Sequence, residues 1–182
     1  MTSIRNEPIT DRSAWRGADL LEDRSFEHEL TDAHLAELAC AAAKVADQTV
    51  MDLDLDAFRT PALIELMSAV SDELQRGRGF SVLHGFPVTA YPLDQLEKLY
   101  WGLCGHLGTA VTQNGQAGLI HYVTDGQLRP SQGNRGVGEP RESRLHVDLT
   151  DCVSLLCVRK APDDPAIRVS SSMHLYNEIL QH

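Results

Sequence analysis

The chain has 182 residues, 42% hydrophobic and 23% charged, enough for one domain with a sizeable core and ordinary for a soluble globular protein. Its 16 Lys and Arg face 26 Asp and Glu, a net charge of −10. That argues against nucleic acid or an anionic membrane as the main partner, because both select clustered cations. No apolar run reaches the roughly 18 residues a bilayer span needs, and the N-terminus lacks the apolar region of a signal peptide. Cys40, Cys104, Cys152 and Cys157 fit no zinc or disulfide spacing. Cys152 and Cys157 lie in an apolar stretch and read as small buried hydrophobes. The expected setting is a reducing cytoplasm.

Residues 1–30 are polar and aperiodic and read as an extended arm, pinned by Trp15 and Phe26 and otherwise making few contacts. Thr31 predicts a cap for a helix over 32–46, where Leu35, Leu38, Ala39 and Ala42 recur at helical spacing. His28 and His34 read as solvated. The strict alternation of residues 51–56 reads as a polar-out edge strand or extended loop rather than a calcium loop, since no Gly or Glu completes one. Thr60 and Pro61 predict a helix to Arg76, a capping hydroxyl followed by Pro at the first helical position. Leu63, Leu66, Met67, Val70 and Leu74 form its apolar face, and Gly77 and Gly79 end it.

Residues 80–87 predict a short buried strand closed by a Gly and Pro turn, with His84 a strand-end histidine bonded to backbone. A third helix is expected over 93–105 and a strand over 119–123. Residues 124–143 are rich in Gly, Pro and polar groups, a long loop of the kind that is functional or mobile. Arg129, Arg135 and Arg141 lie in it and suit an anionic substrate group, although a solvated loop arginine is the plainer reading of each. The near-continuous apolar run 153–158 predicts a strand buried on both faces, followed by a strand over 167–171 and a helix over 172–180.

The chemistry centres on His146 and Asp148. In an extended backbone residues i and i+2 point to one face, so the imidazole and carboxylate converge while Val147 points away. One neutral nitrogen donor with one carboxylate is two thirds of the 2-His-1-carboxylate set that holds non-haem Fe(II) with open positions. Taken alone, the motif also reads as a surface histidine beside an acid.

Residues 145–158, 168–172 and 176–180, in that order, resemble the taurine dioxygenase-like family of Fe(II)/2-oxoglutarate-dependent oxygenases. The resemblance covers residues 75–182, including the run of helix, Gly, strand and Gly85-Phe86-Pro87. It implies an α+β fold: a partial double-stranded β-helix (jelly roll) with N-terminal flanking helices, the barrel incomplete in this chain. Residues 31–182 would form the N-terminal half of that domain. It implies an oxygenase that hydroxylates or desaturates a small molecule, with His146 and Asp148 as metal ligands, Fe(II) as cofactor and 2-oxoglutarate as cosubstrate; the arginine-rich loop leans towards an anionic substrate.

Three features depart from the family. Its second metal histidine and its 2-oxoglutarate-binding arginine lie beyond the helix that ends near Leu180, and His174 and His182 come too early to replace the histidine. The turn whose hydroxyl meets 2-oxoglutarate reads Asp164-Pro165-Ala166-Ile167 here, with no hydroxyl. The expectation is therefore a fragment or truncated frame that lacks turnover alone, unless His121 or a second subunit supplies the third ligand. Open sheet edges would favour self-association. The alternatives are an inactive remnant serving as a scaffold or oligomerisation module, or an unrelated α/β protein with a chance His-x-Asp.

Overall fold

The computed structural model describes residues 6–112, 118–123, 145–160 and 166–182. They divide into two units, one of residues 1–108 with 170–182, the other of residues 109–169.

Four helices and one 3-10 turn build most of the first unit. α1 is a single turn, Asp19–Glu22. α2 spans Asp32–Lys44 and begins at Thr31, whose hydroxyl accepts the His34 amide while His34 Nδ1 accepts the Thr31 amide at 3.0 Å. Two otherwise orphaned donors are thereby satisfied. His34, expected to be solvated, is half-buried at this cap. α3 spans Pro61–Arg76, with Pro at its first position and Leu63, Leu66, Met67 and Val70 buried. α4 spans Leu93–Cys104 and buries Leu96, Leu99 and Leu103.

The core forms where these helices meet. Leu38, Ala41 and Val45 of the α2 region pack with Phe58, Leu63, Met67 and Leu99, and Phe58, Leu38 and Leu63 are fully buried. Gly102 lets α4 come down on Phe58: a Cβ there would sit 2.4 Å from the ring. Lys98 is buried too, its Nζ donating to the Ala46 carbonyl at 2.6 Å, where the exposed C-terminal carbonyls of α2 favour a cation. His106 Nε2 donates to the Phe58 carbonyl at 3.1 Å, and burial holds the imidazole below its ordinary pKa.

Residues 51–56 do not extend. Asp54 accepts the Asp56 amide and opens a 3-10 turn over Leu55–Phe58, and Leu53 is buried. The alternation of acids and leucines reflects a tight turn that drops Leu53 and Phe58 into the core, not a strand.

The described part of the N-terminal arm is knitted into the body, against the expectation of few contacts. β1, Glu27–Glu29, pairs in parallel with β2, Val82–His84, with Glu27 opposite Val82 and Glu29 opposite His84. Trp15 and Phe26 are buried and pack on Phe80 at centroid distances of 5.4 and 4.8 Å. Trp15 Nε1 donates to the Arg78 carbonyl at 2.9 Å. Arg78 itself is buried, bonded to Glu73 at 2.8 Å and to the Asp23 carboxylate. Gly79 and Gly85, on either side of β2, take φ of +83° and +81°, values that strain any residue with a Cβ.

His28, expected to be solvated, is half-buried, and its Nε2 is enclosed without a hydrogen-bond partner. His84 Nε2 stands 3.4 Å from Glu27 Oε2 rather than on backbone. α5, Ser172–Leu180, begins at Ser171, whose hydroxyl accepts the His174 amide at 2.9 Å.

The described residues of the second unit contain no helix and no strand. Residues 119–123 and 153–158, and the stretch 167–171 that leads into α5, form no strand and join no sheet ladder. Apolar sequence makes a strand only where a second backbone takes up its amides and carbonyls in a ladder, and the ladder among the described residues is that of β1 and β2. Val153, Leu155, Ile167 and Val169 are exposed, as are Cys152 and Cys157. The expected two-faced burial of residues 153–158 is therefore not found.

Candidate metal centre

Residues 145–148 lie outside any helix or strand and are exposed. The backbone there brings His146 Nε2 to 3.8 Å from Asp148 Oδ1, with side chains 60% and 55% exposed. The separation suits two donors leaning to one side, while Val147 between them is exposed. A pair so open to water is worth little as an ion pair. What it offers chemically is one imidazole nitrogen and one carboxylate, within reach of solvent and of a cation.

The described residues add no third donor. No group of three or more His, Cys, Asp or Glu is brought together among them. His121 is described and exposed but forms no such group with the pair. His174 lies on α5 beside Glu178, 3.7 Å away one turn along the same helix. His182 follows that helix as its exposed last residue. Ile167 is exposed, while Asp164 and Pro165 of the same turn lie outside the described residues, as do Arg129, Arg135 and Arg141. Two metal-type donors fit an iron site in kind and fall short in number.

The sequence matches no protein-family model. Over 187 aligned positions covering the whole chain it is 32% identical to FR-33289 synthase of Streptomyces rubellomurinus, of which it covers 55%. Over 183 positions it is 21% identical to a taurine hydroxylase-like protein of Stachybotrys chartarum, covering 95% of the chain and 48% of that protein. The chain is similar to both, the second a taurine hydroxylase-like protein by name. The likeness is wider than the motifs of residues 75–182, since it takes in the arm and the first helices as well. The chain spans about half the length of the curated relatives it matches. Among the described residues no helix is long and apolar enough to cross a membrane.

Proposed function

We propose that this chain is part of an Fe(II)/2-oxoglutarate-dependent dioxygenase that hydroxylates or desaturates a small molecule, with His146 and Asp148 as two of its iron ligands. The observation that carries the reading is the pair itself: imidazole and carboxylate one residue apart, 3.8 Å between nearest atoms, in a chain related over nearly all its length to a taurine hydroxylase-like protein. Bound iron with 2-oxoglutarate supplies oxidation by O₂ in such enzymes. His146 would give a neutral nitrogen donor, and Asp148 would offset part of the metal's charge.

The third ligand and an arginine for 2-oxoglutarate belong, by the resemblance, to residues beyond this segment. In the same reading the fold is a partial double-stranded β-helix with flanking helices α2, α3 and α4. Residues 119–123, 153–158 and 167–171 would become strands when paired. Their exposed apolar side chains support this, since a folded protein rarely leaves so many Val, Leu and Ile in water. A small anionic substrate is the class that the arginine-rich stretch favours.

The test is succinate release from 2-oxoglutarate, with Fe(II) and ascorbate, by a protein of the relatives' length that contains this segment. Release that disappears with His146→Ala and with Asp148→Asn is expected. Undiminished release by either variant rules the pair out as ligands. A second reading, a catalytically inactive scaffold or self-associating module, is favoured by the shortage of donors among the described residues. No release from the full-length protein, together with a stable oligomer, would establish it.

A further inference from the structure

We propose that residues 9–13 form a latch for α5, and that α5 can leave the helical core as a unit of its own. α2, α3 and α4 are each held by buried apolar residues, whereas α5 buries none of its residues. Leu175 and Ile179, one turn apart, are both exposed. Two polar side chains make the connection to the strap instead. The Asn177 carboxamide donates to the Ile9 carbonyl and accepts the Ile9 amide, both at 2.7 Å. It pairs with that one residue as a neighbouring strand would, using its donor and its acceptor at once. Ser171 caps the first turn of α5 and its hydroxyl also donates to the Ser13 carbonyl at 2.5 Å. One hydroxyl therefore serves both the start of the helix and its attachment.

The strap is secured to the core at its far end. Trp15 is buried and bonded to the Arg78 carbonyl, and Arg12 stands 3.3 Å from the buried Glu73. Towards residue 9 the chain is half-buried or exposed. The three latch bonds are half-buried and Ser171 is buried, but each bond contributes only about 1 kcal/mol, so a helix held by them without buried apolar residues of its own opens at lower free energy than one packed in a core. Displacing residues 9–13 would free α5 while α2, α3 and α4 stay packed.

Hydrogen exchange of the 182-residue chain tests this, with Asn177→Ala on the helix side and Ile9→Pro on the strap side. Each removes latch bonds without touching the core. Amides of α5 should exchange roughly tenfold faster in either variant, with no change in α2 or α3, and the double variant should add little to the single ones. Unchanged α5 exchange would show that something other than the strap holds the helix. Equal acceleration in α2 and α3 would show that α5 opens only with the core. Unprotected α5 amides in the unaltered chain would show that the latch does not close.

Discussion

The Glu37 carboxylate on α2 accepts the Thr60 hydroxyl, and the same carboxylate takes the Leu63 amide at 3.0 Å and the Ala62 amide at 3.3 Å. Thr60 occupies the N-cap position of α3, yet its own side chain accepts no cap bond. The cap is borrowed from another helix. One carboxylate therefore satisfies first-turn donors, meets the positive end of the α3 dipole and fixes α2 against α3.

The first prediction concerns this group. The Thr60 hydroxyl, acting against the opposing cost of burial and helped by the Leu63 and Ala62 amides, holds Glu37 below its ordinary pKa of 4.5. A carboxylate depressed in the folded state stabilises the protein above its unfolded pKa, and that contribution is lost as pH falls through the folded value. Glu37→Gln should lower unfolding free energy by about 1 kcal/mol at pH 7. The gap between variant and parent should narrow as pH falls below about 4.5. Urea denaturation at a series of pH values measures it, and a gap that is constant with pH would contradict the charged cap.

Gly102 gives a second prediction. Its absent Cβ is the space that the Phe58 ring fills, and Phe58 is fully buried with no room to retreat. Gly102→Ala gains about 1 kcal/mol of helix propensity but overpacks the ring, at a cost of about 1–3 kcal/mol. Net destabilisation is expected, visible as a lower denaturation midpoint. Phe58→Leu should make the alanine less harmful than it is in the parent. A more stable Gly102→Ala protein would refute the close packing of α4 on Phe58.

The third prediction concerns Arg78, whose side chain is 5% exposed beside Glu73 at 8%. Removing one member of a buried pair leaves the other short of its main partner, at up to about 3–5 kcal/mol, although Arg12 still stands 3.3 Å from Glu73. Arg78→Met should cost part of that, and Glu73→Leu in the same chain should restore some of it. Thermal unfolding of the two singles and the double closes the cycle. Additive effects would mean that the two side chains do not depend on one another.

What could be read in advance follows from the range of each interaction. α3 and α5 begin and end where their caps and apolar periodicity put them, because Pro61, Gly77 and the spacing from Leu63 to Leu74 act within a few residues. β1 was invisible: Glu27, His28 and Glu29 have no strand character and are extended because Val82–His84 lies alongside. The Glu37 cap spans 23 residues and the Asn177 bond to Ile9 spans 168, so neither leaves a local pattern. Residues 153–158 fail in the opposite direction. Their composition suits a buried strand, but composition supplies no hydrogen-bonding neighbour. His146 and Asp148 were legible as a pair because a period of two is the one geometric fact an extended backbone guarantees.

The last prediction separates the His146 and Asp148 pair from the fold. Both side chains are more than half exposed and 3.8 Å apart, so their mutual attraction is screened and contributes little to stability. His146→Ala and Asp148→Asn should each change unfolding free energy by less than about 0.5 kcal/mol. Metal binding should respond quite differently. With two donors and no third gathered beside them among the described residues, the 182-residue chain should bind Fe(II), or Co(II) as a spectroscopic substitute, weakly and without succinate release. Either substitution should abolish the Co(II) absorption bands while leaving the thermal midpoint in place. Bands that persist in both variants would locate the cation elsewhere. Turnover by the 182-residue chain that is lost in His146→Ala would show that a second subunit, or a residue such as His121, completes the ligand set after all.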